Sequence, residues 1–207
     1  MTALPIRGFA LAATLLLAGC LGGGGKADLY RFGPAGAAQP ATGAVAATIV
    51  VAYPGATFAR PAASDRILTI NGAQAGYIAK ARWVAPAPDL FDAAALEAFD
   101  AHAPGLRIVR TADFTKAAYT LLLEVRRFEA QYPGDPKAAP DVLVETRARL
   151  VRRSDRAIVA EWDVARREHA AENRVTAIVT AFDRATAGVV DEIAQQAGRT
   201  VPTLQTS

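Results

Sequence analysis

The stretch DVLVETRARLV, residues 141–151, decides the fold class. Val142, Val144, Thr146, Ala148 and Leu150 fall on one side of an extended chain, and Glu145, Arg147 and Arg149 fall on the other. A period of two with one apolar and one charged side marks a strand half buried in an antiparallel sheet. The run before it, YTLLLEVRRF (119–128), and the run after it, Ala157 to Val164, are equally rich in strand formers. Tyr132-Pro133-Gly134-Asp135-Pro136 and Ser154-Asp155 supply the turns between them, so the three runs read as a meander. Charges along the outer side also keep long strands from pairing edge to edge.

The apolar side of such a sheet needs a cover. Val175 to about Ala197 provides one, with Val175, Ile178, Val179, Phe182, Val189, Val190 and Ile193 at helical spacing, Asn173 as the expected cap and Gly198 as the expected stop. A first helix is expected after Pro86 to Pro88. Asp89 is its predicted N-cap, and Leu90, Phe91, Ala94, Ala95, Ala98 and Phe99 recur up to Pro104-Gly105. Further strands are expected at Asp28 to Phe32, Ala47 to Tyr53 and Leu106 to Arg110. A hairpin is expected from Arg66 to Ile70 through Asn71-Gly72 to Gly76 to Val84. The sum is an α+β layer fold: a mostly antiparallel sheet with two main helices on one face. It forms a single domain over residues 28–200, followed by a tail at 201–207. Trp83 and Trp162 are expected in the core or at an interface.

Ahead of the domain the sequence changes character. Arg7 precedes an apolar run from Phe9 to Ala18, about half of what a membrane-spanning helix needs, and the run ends in small residues: a signal peptide over 1–19. Leu17-Ala18-Gly19-Cys20 resembles the lipobox of bacterial lipoproteins. That resemblance implies a thioether-linked diacylglycerol on Cys20, cleavage before it, and a further acyl chain on the new N-terminus. Two or more chains hold a protein firmly to a membrane where one does not. Gly22 to Gly25 make residues 20–27 a tether, and its seven residues from Leu21 to Ala27 reach at most ~25 Å. Leu21, where retention at the inner membrane favours aspartate, points to the outer membrane.

The chain carries a formal charge of +3, reduced to +2 when Arg7 leaves with the signal, which is no footprint for nucleic acid. Its single cysteine, committed to lipid, leaves no thiol for a disulfide, a metal site or catalysis. Beyond the lipobox the serines are Ser64, Ser154 and Ser207, none in a nucleophile elbow, and His102 and His169 stand apart. No metal-ligand or phosphate-cradling spacing occurs, so neither catalytic residues nor a cofactor are expected. Arg147, Arg149, Arg152 and Arg153 are the candidates for a basic contact face toward lipid phosphates or an acidic partner; the interleaved Glu124, Glu145 and Asp155 favour a mixed, solvated face instead.

Several segments together resemble the ABC-type transport auxiliary lipoprotein family, the outer-membrane accessory of lipid transporters built around MCE-domain proteins. They are the lipobox; Leu29-Tyr30-Arg31-Phe32; Ile49-Val50-Val51 followed by Pro54; Arg60-Pro61; Arg82-Trp83 with Pro86 before a helix; the Leu121 to Glu129 strand; and the last helix around Ala181 to Ala194. The resemblance implies a noncatalytic role in lipid movement between the two membranes, with an MCE-domain protein and an ABC permease and ATPase as partners; a docking sleeve around a conduit is compatible with a homo-oligomer, which no residue here demands. Val84-Ala85 and Ala118 stand where the family carries acidic residues, which alters any contact those carboxylates make. The rival readings are a standalone lipid carrier and an envelope-assembly or secretion lipoprotein.

Overall fold

The computed structural model describes residues 26–34, 49–110 and 114–204; the signal peptide, Leu17, Ala18, Gly19, Cys20 and the glycines of the tether lie outside them. The elements are, in order, β1 (Asp28–Tyr30), β2 (Ile49–Ala52), β3 (Thr57–Phe58), β4 (Arg66–Asn71), β5 (Gln74–Trp83), α1 (Ala87–His102), β6 (Leu106–Val109), β7 (Tyr119–Tyr132), β8 (Asp141–Arg152), β9 (Ile158–His169) and α2 (Val175–Leu204).

Strand β7 is the spine of the sheet. Its 14 residues extend ~46 Å. One edge pairs with β8 along nearly its whole length, and β8 pairs with β9, both antiparallel: the expected meander. The other edge is shared by three short strands in succession, all parallel to it. β2 meets Tyr119 and Thr120, β3 meets Glu124 and Val125, and β4 meets Ala130 to Tyr132. β6 joins β2 in parallel, β5 folds back on β4 through Asn71 and Gln74, and β1 lies parallel to β5.

The α+β class and the two covering helices are as the sequence indicates. The expectation of a mostly antiparallel sheet holds for the long ladders, while five of the eight strand pairings are parallel, so the sheet is mixed. The reason is connectivity. A parallel pair needs a long crossover, and β5 reaches β6 only through α1, which returns the chain parallel to strands laid down earlier.

The helices are built from the residues that the spacing selected. Leu90, Phe91, Ala94, Ala95, Ala98 and Phe99 of α1, and Ile178, Val179, Phe182, Val189, Val190 and Ile193 of α2, are all buried. They close over Leu121, Leu123, Val125 and Phe128 of β7 and Val142, Val144, Ala148 and Leu150 of β8 in one core. At its centre Phe128 touches the rings of Phe32 at 5.1 Å, Phe58 at 5.5 Å and Phe182 at 4.8 Å. Trp83 stands edge-on to Phe32 at 5.0 Å and to Phe182 at 5.3 Å. Fully burying each such ring contributes about 1.5–3 kcal/mol.

Helix ends depart from expectation in three places. Pro86 occupies the N-cap of α1, with no side-chain cap bond, and Asp89 sits inside the first turn, where its charge favours the helix dipole. Asn173 does not cap α2; its amide donates to the Pro136 carbonyl at 2.9 Å and its oxygen accepts from Tyr132 Oη at 3.0 Å, pinning the β7–β8 loop. Gly198 does not end α2, which continues into the expected tail as far as Leu204. A Cβ at Gly198 would lie 3.2 Å from the Ala103 Cβ and 3.3 Å from the His102 carbonyl oxygen, so this glycine serves the approach of α2 to the end of α1.

Candidate functional site

Of the four arginines singled out in the sequence, Arg147 and Arg149 share the outer face of the meander and arrive there with counter-charges, while Arg152 and Arg153 lie at the end of β8. Arg147 and Arg149 of β8 stand opposite Glu124 on β7 and Asp163 and Glu161 on β9. Arg147 grips Asp163 with two bonds, Nε to Oδ1 at 2.9 Å and Nη2 to Oδ2 at 3.1 Å, and lies 3.8 Å from Glu161. Those bonds raise the arginine pKa and hold the Asp163 carboxyl below the usual carboxylate range. Arg149 reaches Glu124 at 3.6 Å, and Arg126 lies between Glu145 and Asp163. At the strand end Arg152 donates to Asp155, whose carboxyl is held low chiefly by the Ala157 N–H, and Arg153 donates to the Thr120 hydroxyl. The face is therefore a lattice of alternating charge rather than a bare basic patch. Its pairs are solvent-exposed and add little to stability.

The two histidines are also held by acids. His102 lies 3.4 Å from Asp191 between the helices, and His169 Nδ1 is 2.8 Å from Asp141 at the end of the meander. Each lines a shallow cleft. One, of about 380 Å³, runs between α1 and α2 over Ala98 and Val190, with Asp183 accepting the Gly33 N–H at 2.7 Å. The other, of about 350 Å³, sits over Gln131, Arg167 and His169. Ser64 accepts the Arg66 N–H and serves its own turn. Among the described residues no group of three or more His, Cys, Asp or Glu could hold a metal ion, and no helix is long and apolar enough to cross a membrane.

One polar cluster escaped the sequence reading. Asp92 projects from the buried side of α1, only 4% exposed. Its Oδ1 accepts from Tyr53 Oη at 2.5 Å and from the Ala56 N–H at 2.8 Å, and its Oδ2 accepts from Arg110 Nη2 at 2.8 Å. Tyr53 follows β2 and Arg110 follows β6, so one carboxylate ties α1 to the ends of both strands. Gly55, at φ +110°, lets the loop wrap it, since a Cβ there would lie 3.0 Å from Oδ2. Burial, and after it the Asp92 charge, pushes the Tyr53 phenol far above the ordinary tyrosine value and keeps it protonated. The three donors hold the carboxylate, and it holds them, so the cluster acts as a fixed clamp between α1 and the two strand ends. The available signal was an acid inside the apolar stripe of α1, between Phe91 and Ala94.

Residues 30–194 match the family described as the ABC-type transport auxiliary lipoprotein component. The chain belongs to this family. Solved structures agree on the fold of this auxiliary lipoprotein. Protein XCC0632 from Xanthomonas campestris superposes with a TM-score of 0.70 at 22% identity, covering 87% of this chain and 100% of its own. An uncharacterised protein gives 0.66 at 11% identity over 83% and 99%. The hypothetical protein CT253 from Chlamydia trachomatis gives 0.51 at 9% over 75% and 98%. No curated protein matches the sequence. The family fits a lipid-anchored envelope protein that works with an ABC transporter.

Proposed function

We propose that this auxiliary lipoprotein docks the periplasmic end of an MCE-type lipid transport assembly to the outer membrane, as an accessory without catalytic or ATPase activity of its own. The observation that carries the reading is family membership over residues 30–194 joined to the lipobox at Leu17–Cys20 and a tether of at most ~25 Å. So short a tether keeps the domain at the membrane that holds its lipid, and the partner has to come to it. The charge lattice around Arg147 and Arg149, at the far end of the sheet from the tether, is the surface offered to that partner, read by its pattern of charge rather than by a net sign.

A standalone lipid carrier would need a dry cavity between helix and sheet. That space is taken by Phe32, Trp83, Phe128 and Phe182 in mutual ring contact, which favours the docking role. Affinity capture of the lipidated chain from cells is expected to recover an MCE-domain protein or its permease, and capture of the Cys20→Ser chain to recover much less. Repeated capture of the lipidated chain without either partner would overturn the proposal.

A further inference from the structure

Charge is distributed unevenly along the domain. Between residues 26 and 84 there are six basic residues, Lys26, Arg31, Arg60, Arg66, Lys80 and Arg82, against two acidic ones, Asp28 and Asp65; the rest of the mature chain is net acidic. All six basic side chains are exposed. The fold gathers several of them at one edge of the sheet. β1 is the edge strand, and its register places Leu29 beside Arg82 and Tyr30 beside Trp83. Tyr30 and Phe32 turn toward the core, so Leu29 and Arg31 turn out, on the side where Arg82 and Val84 also lie. Arg66 is opposite Arg82 on the next strand, its guanidinium 3.6 Å above the Tyr77 ring, and Arg82 pairs with Asp65.

Two large apolar side chains stand out within this basic edge. Leu29 is 63% exposed and Val84 is 53% exposed. Beside them β5 carries a bulge: Tyr77 is opposite Leu68, Arg82 is opposite Arg66, and Lys80 within the bulge has φ +58°, uncommon for a residue with a side chain. Apolar residues rimmed by lysine and arginine are the composition of surfaces that sit at the boundary of an anionic bilayer. The position of the tether supplies the second argument. The chain enters this same edge at Asp28, seven residues of reach, at most ~25 Å, beyond Cys20.

Resting on the lipid-anchor reading of Cys20, we infer that the outer side of the β1–β5 edge lies on an anionic phospholipid surface, the bilayer that holds the anchor. Leu29 and Val84 enter the headgroup layer, and Arg31, Lys80 and Lys26 meet lipid phosphates. Each basic residue near such a surface strengthens the contact about fivefold. The lipid chains hold the protein near the membrane; this edge fixes which way the domain points. The opposite end of the sheet, β9, is five strand spacings away, ~24 Å.

Because Cys20 is the only cysteine, an introduced cysteine is the only free thiol in an acylated chain. The full lipidated chain carrying Leu29→Cys, Val84→Cys or, as a control on β9, Ile158→Cys is labelled with an environment-sensitive nitrobenzoxadiazole probe. It is then placed in nanodiscs of phosphatidylcholine alone or mixed with phosphatidylglycerol. Emission at 29 and 84 is expected to rise severalfold and shift to the blue in the mixed lipid, with no change at 158, and Arg31→Glu with Lys80→Glu should return it to the phosphatidylcholine level. Equal emission in both lipids, which proximity through the tether alone would give, overturns the inference. So does a response that follows protein concentration in neutral lipid, which would mark a contact between copies. A thiol that labels in the unsubstituted chain shows instead that the anchor reading has failed, a result distinct from a blocked thiol with a silent edge.

Discussion

Replacing Asp92 by alanine removes the acceptor on which three donors converge. The Tyr53 hydroxyl is left in the core without a partner, at a cost of about 1–3 kcal/mol, and the half-buried Ala56 N–H adds about 1 kcal/mol. Arg110 is nearly half exposed, returns to water and adds little. The expected loss is therefore about 2–4 kcal/mol, a fall in Tm of roughly 5–15 °C for a domain of this size. Asp92→Asn keeps Oδ1 for Tyr53 and Ala56 and should cost about 1 kcal/mol, as should Tyr53→Phe. The decisive measurement is urea unfolding of Asp92→Ala with and without Tyr53→Phe. Because the orphaned hydroxyl carries much of the penalty, removing it in the alanine background should recover about 1 kcal/mol or more at unchanged m value. Simple additivity of the two losses would refute this account of the clamp. The same cluster predicts a pH dependence. Tyr53 holds its proton more tightly folded than unfolded, so its contribution is intact below a pH of about 10 and is lost as pH rises above that ordinary tyrosine value. Tyr53→Phe should make the alkaline decline shallower.

Gly198→Val should destabilise by about 1–3 kcal/mol by thermal melting, despite valine's better helix propensity, because the new side chain meets Ala103 and the His102 carbonyl. Thr146→Val should do the reverse. The Thr146 hydroxyl is fully buried with no hydrogen-bond partner, and an apolar residue of the same shape should raise stability by about 1 kcal/mol.

Much of the fold was legible because its largest pieces alternate cleanly. Every second residue from Val142 to Leu150 is buried as read, the Asn71-Gly72 turn makes its hairpin, and the stripe of α2 lies on the sheet. What the sequence concealed was pairing. Ile49 to Ala52 is buried almost throughout, and a continuous apolar run carries no period to reveal its neighbour or its direction. Gly198 and Asn173 misled for a related reason. Glycine suits both a helix stop and a close approach, and asparagine suits both a cap and a distant loop contact; which use prevails depends on Ala103 and Pro136, far away in sequence. Asp92 was overlooked because a lone carboxylate in an apolar stripe is interpretable only once Tyr53 and Arg110 are seen beside it. The family resemblance was readable in the order of segments and is borne out by the match over residues 30–194.

The sharing of one β7 edge among β2, β3 and β4 bears on how the chain assembles as it emerges from its N-terminus. Before β7 appears, the first strands can make only two separate fragments, β1–β5–β4 and β2–β6, and β3 has no strand partner at all. Side chains destined for the core, such as Val51, Ile67 and Trp83, must wait through the synthesis of α1 and β6 for the strand that joins the fragments. The early strands are thus made first but stay unjoined until β7 arrives, and during that interval their apolar side chains need protection from aggregation more than those of β8 and β9, which find β7 already in place.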